Sequence, residues 1–267
     1  MGLPGALVIL FFFLVPLAVV VSEAFTEGGG AFGRVLDDPI FWRGLRGTLI
    51  LGTTAPTFSL LVGFCVAWHL SAMSEAMRTN LLFWISLPLT FSGLIVAYGF
   101  ILAFGRAGFV TLSLEPLGAD PASFSGFLYS PMGLAFAYSY YLIPRVVLIL
   151  LPVLVNFDRT QILAAHSMGA RPLRAVLDVL VPQVLPSAVA AYCLVAAVAI
   201  GAYGTALALV GTQVNILPLI LYSRISDTGS DFPSAAAMSV VLLTLCTLVL
   251  SAGELFVLWR ERRDAAA

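Results

Sequence analysis

Arg145 is the one charged side chain in the apolar run PMGLAFAYSYYLIPRVVLILLPVLV, residues 131–155. It stands about eleven residues from the inner end of that run, roughly 16 Å at about 1.5 Å per helical residue. A guanidinium at that depth in a bilayer is costly, so it either lines a polar pathway or pairs inside the protein. The pairing candidates are a tyrosine, a backbone carbonyl or Glu254. On a pathway it would act as a fixed positive charge, attracting an anion and repelling a cation. Tyr203, Thr205 and Ser92 are further polar candidates for such a path. They lie on small-residue stretches that equally suit helix packing in a membrane.

The other reactive groups exclude more than they propose. His69 and His166 have no ligand partner at metal-binding spacing. His69 reads as an interfacial residue, and His166 either touches another subunit or faces water. Cys65, Cys193 and Cys246 fall in apolar runs with neither a disulfide framework nor zinc spacing, so buried free thiols are expected. The 13 basic residues are all arginine, which rules out the lysine of a G-x-x-x-x-G-K-[S/T] phosphate loop. No ATPase is expected in this chain.

The elements that must position these groups are set by composition. Hydrophobic residues make up 60% and charged residues 10% of 267, with a net charge of −1. Mean hydropathy is +1.03. These values describe an all-α, polytopic membrane protein with no nucleic-acid signature. Six spans of about 20 residues are expected: Leu3 to Ala24, Thr48 to Leu70, Leu81 to Phe104, Pro131 to Val155, Val184 to Val210, and Ala235 to Trp259. The first has no Lys or Arg before it and is too long for a signal-peptide core, so it reads as a retained helix. With the N-terminus inside, Arg78, Arg159, Arg171, Arg174, Arg260, Arg262 and Arg263 face the cytoplasm, against Arg34, Arg43, Arg46, Arg106 and Arg224 outside. That modest bias follows the positive-inside rule and places both termini in the cytoplasm. The outer loops also carry acids, including Asp37, Asp38, Asp120, Asp227 and Asp231.

This orientation puts the segment LAAHSMGARPLRAVLDVLVP, Leu163 to Pro182, on the cytoplasmic side. Asp158 is a candidate N-cap with Gln161 three residues on, a variant of the capping box. Gly169 can end the helix in a left-handed conformation, and Pro172 suits the first turn of the next. A second helix is expected there, interrupted at Pro182. Ala164 and Ala165 are small enough to let another surface approach closely.

Ala164-Ala165, Gly169, Val179 and Pro182 resemble the EAA loop of type I ABC importer permeases, which reads Glu-Ala-Ala, three residues, Gly, nine residues, Ile, one residue, Leu-Pro. Leu163 stands where the family has Glu, Val179 where it has Ile and Val181 where it has Leu. The runs PLTFSGLIVAYG, YYLIP, GAYGTALALVG and NILPLILYSRI are similar to the spermidine/putrescine branch. Together they cover about 46–257 of a single permease domain, 1–267, with the loop at 156–183.

The resemblance implies that Leu163, Ala164, Ala165, His166, Gly169, Ala170, Arg171, Pro172, Val179 and Pro182 couple the chain to an ATP-binding subunit. It implies two such subunits, which bind ATP and Mg while this chain holds no cofactor. It also implies a second permease, expected to be a paralogue, a periplasmic binding protein and a bacterial inner-membrane location among lipid. A polyamine is the first expectation for the solute. Related permeases for 2-aminoethylphosphonate, sulfate, molybdate, ferric iron or thiamine share the pattern, and Arg145 pulls toward an anion. An ion-coupled secondary transporter would instead place carboxylates at broken helices. Here the one acid well inside a span is Glu254, near an end.

Overall fold

Apolar backbone in lipid must satisfy its own donors and acceptors, and the described residues do so as helices, with no strand among them. The computed structural model describes residues 8, 10–118, 120–211, 213–226 and 231–264. In chain order the helices are α1 (Leu10–Ala24), α2 (Gly30–Asp37), α3 (Pro39–Ser71), α4 (Glu75–Ser86), α5 (Gly93–Phe104), α6 (Phe109–Leu114) and α7 (Pro121–Leu128). They continue as α8 (Pro131–Val155), α9 (Thr160–Ser167), α10 (Pro172–Gly201), α11 (Gly204–Val210), α12 (Leu217–Ser226) and α13 (Phe232–Asp264).

Five stretches among the described residues are long and apolar enough to cross a bilayer, rather than the expected six: Pro39–Ser71, Gly93–Leu117, Pro131–Val155, Pro172–Gly201 and Phe232–Arg260. The expected first span is represented by the shorter α1, and 3–7 and 9 lie outside the described residues. The expected third span is not one rod. It is split into α4 and α5, each of 12 residues, by a 3-10 turn at Leu87–Thr90 and extended backbone at Phe91 and Ser92. At about 1.5 Å per residue each piece alone is about 18 Å long, short of a hydrocarbon core of about 30 Å, and α5 reaches that length only in the stretch that continues to Leu117. Pro88 removes a donor at the break, and the Ser92 side chain restarts the helix by accepting from the Ile95 amide at 3.5 Å.

The expected fifth span is split as well. α10 ends at Gly201, Ala202 is extended, and α11 begins at Gly204. At its other end α10 runs further than expected, because Pro182 does not interrupt it. A π-helical turn at Val176–Leu180 leads directly into Pro182, whose missing amide falls where the α-helical register resumes.

The core is the meeting of α3, α8 and α10. Along α8, Tyr138, Leu142, Val146, Val147 and Leu150 are fully buried. The small residues Ala55 and Ala67 of α3 and Ala191 of α10 let the helices close on this stripe. α13 packs along α10 and α1. At one end of the bundle Arg224 pairs with Asp38, and Arg34 reaches Glu27, Asp231 and Ser234. These ties gather residues assigned to the same side of the membrane; Asp227 lies outside the described residues. The cysteines are free, but Cys65 is exposed rather than buried, and Cys193 and Cys246 are half-buried.

Candidate functional site

Two regions carry the residues singled out in the sequence. The first is the turn between α9 and α10. Asp158 accepts from the Thr160 amide at 2.9 Å and from the Thr160 hydroxyl at 2.7 Å. Those hydrogen bonds, the hydroxyl first, hold its carboxyl below the usual carboxylate range. Gln161 does not complete a capping box. Its side-chain oxygen accepts from Gln183 at 2.7 Å, tying α9 across the turn to α10.

Gly169 ends α9 with φ +88°, as expected. Its amide donates to the His166 carbonyl at 2.9 Å and the Ala170 amide to the Ala165 carbonyl at 3.0 Å, the paired bonds of a Schellman turn. His166 is half-buried. Its Nδ1 lies 3.1 Å from the Ala170 carbonyl oxygen, so an Nδ1 proton closes the turn a third time. Pro172 opens α10, as its fixed φ favours.

Of the two alanines, Ala165 is buried against the chain and Ala164 is exposed, so one of the pair is free for close approach. Arg171 is exposed, Ala170, Val179 and Pro182 are half-buried, and the Val179 carbonyl accepts from Gln183. The turn also presents apolar side chains to the exterior: Leu163, Met168 at 84% exposure, Leu173 at 74%, and Leu177. These side chains form an exposed apolar cluster on a tightly bonded turn. Arg159 anchors its base, donating to the Ser71 hydroxyl at 3.0 Å with its guanidinium 5.0 Å from the Trp68 ring centre.

The second region is a cavity of ≈ 340 Å³ bounded by both helix breaks. Arg145 of α8, Tyr203 at the α10–α11 break and Thr205 of α11 all line it, together with Tyr141 and Gly93. Ser92 is not on the wall; it caps α5 beside it. Arg145 donates to the Tyr141 carbonyl at 2.7 Å, and its guanidinium carbon lies 5.5 Å from the Tyr141 ring centre. Among the described residues no acid pairs with it, Glu254 included, and none lines the cavity. Gly93 lets α5 meet α11, since a Cβ there would collide with the Thr205 hydroxyl. Tyr203 packs against Tyr222 in a tilted pair with ring centres 5.2 Å apart.

The sequence reading missed Tyr138 and Tyr141. Tyr138 is fully buried and donates to the Ala202 carbonyl at 2.7 Å, satisfying the oxygen freed where α10 stops. Tyr141 is 8% exposed, and its hydroxyl is buried against the Thr205 side chain, without a bond of ordinary hydrogen-bond geometry. Its four-residue spacing from Arg145 is the signal that could have found it, because such pairs share a helix face. No group of three or more His, Cys, Asp or Glu that could hold a metal occurs among the described residues.

Residues 59–260 match the family described as binding-protein-dependent transport system inner membrane component. A Salmonella typhi protein described as a candidate 2-aminoethylphosphonate transport system permease, PhnU, is 31% identical over 96% of this chain and 87% of its own length. The spermidine/putrescine transport system permease PotB of Escherichia coli K12 is 24% identical over 96% of this chain and 94% of its own. A chain of a bacterial alginate ABC transporter, solved with an alginate-bound periplasmic protein, superposes with a TM-score of 0.75 at 17% identity. That match covers 94% of this chain and 90% of the other, and it speaks for the fold alone. A multi-pass helical chain of this length, matched over most of its residues, belongs to the inner-membrane permease family of binding-protein-dependent ABC importers.

Proposed function

We propose that this permease works with two ATP-binding subunits, one of which seats on its α9–α10 turn, a second permease of the same family, and a periplasmic binding protein. The observation that carries this is the exposed apolar cluster of Leu163, Met168, Leu173 and Leu177 on a turn closed by three hydrogen bonds. A preformed apolar helix end suits a groove on a partner, because little ordering entropy is lost on docking. ATP-driven movement of the partners would shift the turn as a unit and switch the bundle between two arrangements. Leu163 makes this contact apolar where the family motif has a carboxylate. Both termini lie in the cytoplasm in this reading.

The solute crosses beside Arg145. A cation passing about 5 Å from that guanidinium, at an effective dielectric of about 20, meets about 3 kcal/mol of repulsion, roughly two orders of magnitude in occupancy. The absence of any acid on the described cavity wall leaves that repulsion uncompensated. A solute with an anionic group, such as 2-aminoethylphosphonate, therefore fits better than spermidine or putrescine. The polyamine reading keeps the support of the PotB likeness. The test is ATPase stimulation in proteoliposomes holding the complete transporter, with the binding protein offered 2-aminoethylphosphonate or putrescine. Stimulation by the phosphonate supports the anionic solute, and stimulation by putrescine alone replaces it with the polyamine. No stimulation by any loaded binding protein, with the subunits assembled, rejects the importer assembly.

A further inference from the structure

The α9–α10 turn is fastened to two different helices of the bundle. On one side the Gln183 amide of α10 donates to the Gln161 oxygen of α9 at 2.7 Å. On the other, Arg159 reaches the last turn of α3, 88 residues back along the chain. Its guanidinium lies 5.0 Å from the Trp68 ring centre and donates to the Ser71 hydroxyl at 3.0 Å. The Ser71 proton is given to the Trp68 carbonyl at 2.8 Å, so accepting is the role left to that oxygen. Phe157, two residues before Arg159, is buried in the core and fixes the backbone that enters the turn. Arg159 itself is exposed. A guanidinium over an indole at an exposed site adds little to folding stability, so this pair has more to offer as a linkage than as packing. From the linkage, α3 leads to the cavity. Gly63, five residues before Trp68, is packed so closely on α8 that an added Cβ would fall 2.6 Å from Val146, the neighbour of Arg145. α10 reaches the same cavity at Gly201 and Ala202.

We infer that Arg159 is a positioning residue, the clamp through which the α9–α10 turn carries α3, and with it the Arg145 wall of the cavity, together with α10. The inference rests on reading the turn as the seat of an ATP-binding subunit and adds a second route by which its displacement reaches the cavity. Through Gln161 and Gln183 the turn moves the wall at Gly201 and Ala202. Through Arg159, Trp68 and Ser71 it moves α3, whose contact at Gly63 and Val146 is too close to absorb a displacement. Arginine suits the task because its planar group covers the indole face while an edge N–H still reaches the hydroxyl. A lysine ammonium is a single compact charge and meets the two partners less well.

The experiment is a spin-label distance measurement by double electron–electron resonance on the complete transporter in phosphatidylcholine nanodiscs. One label sits on the native Cys65, exposed on α3, and the other on Ser167→Cys of α9, with Cys193 and Cys246 replaced by serine. The expected parent distance is narrow and the same without nucleotide and with ATP trapped by vanadate, because the turn and α3 travel together. In Arg159→Ala the distribution should at least double in width and shift on trapping, with Arg159→Lys between the two. A contact that only stabilises the fold would not make this distance depend on nucleotide. A distance in Arg159→Ala that matches the parent in both states overturns the clamp, whatever the melting temperature, as does a nucleotide-dependent distance in the parent. Co-purification of the ATP-binding subunit separates the two readings. Its absence from the parent rejects the seat on the turn and the clamp with it, whereas its loss in Arg159→Ala alone overturns the clamp and gives Arg159 to the docking surface.

Discussion

The Tyr138 hydroxyl donates to the Ala202 carbonyl oxygen at 2.7 Å, joining the middle of α8 to the point where α10 stops, 64 residues away. The bond makes the helix break affordable in lipid. Tyr138→Phe keeps the ring packed and leaves that carbonyl unpaired, at a cost of about 1–3 kcal/mol. The expected outcome is a melting temperature lowered by a few degrees in detergent, read by tryptophan fluorescence.

Gly169 sits at φ +88° with open space where a Cβ would stand, so a substitution there is penalised by backbone conformation alone. Gly169→Ala should cost about 1–2 kcal/mol locally, and Gly169→Asn less, because asparagine tolerates the left-handed region. Uptake per ATP hydrolysed should fall in the order parent, asparagine, alanine, with membrane insertion unchanged. Equal coupling in all three would detach the turn from transport. Gly169→Asp adds charge to the same turn and should also reduce co-purification of the ATP-binding subunit.

Leu173 is 74% exposed, so Leu173→Asp removes no internal packing. If the turn is the docking surface, a central apolar contact is lost and ATPase-subunit affinity should drop by about thirtyfold, the scale of an interface hot spot of about 2 kcal/mol. Pull-down from solubilised membranes measures it. Leu102, equally exposed on α5 and far along the chain from this turn, is the control position, where Leu102→Ala should leave that affinity unchanged.

Ser167 lies exposed on the same turn. In a background with Cys65, Cys193 and Cys246 replaced, a Ser167→Cys label should react with an impermeant maleimide only after the cytoplasmic face is opened. Labelling of intact cells would reverse the topology.

What could be read from the sequence was what depends on near neighbours. The left-handed turn at Gly169 and the start at Pro172 follow from the backbone preferences of single residues, and both stand in the structure. Arg145 was visible because a charge in an apolar run needs a reason. The breaks at Pro88–Ser92 and at Ala202 were not visible. Proline and glycine are tolerated inside membrane helices, so hydropathy runs straight through such positions. Whether a helix breaks there depends on partners elsewhere, such as Tyr138 for the Ala202 carbonyl and Thr205 against Gly93. Gln161 was assigned to its own helix end because its true partner, Gln183, is 22 residues away. For His166 another subunit and water were the two surroundings considered, and the carbonyl four residues on that its ring also meets is brought close by the Schellman turn.

The unbroken run of α10 from Pro172 to Gly201 has a mechanical meaning. Its 30 residues make a rod about 45 Å long, one end at the exposed turn and the other at the wall of the Arg145 cavity. Pivoting such a rod by about 10° at the turn displaces its far end by about 8 Å, more than the width of a phosphonate group. The π turn at Val176–Leu180 and Pro186 both depart from the regular hydrogen-bond ladder, so the leverage available at the cavity depends on how stiff the rod is at those points.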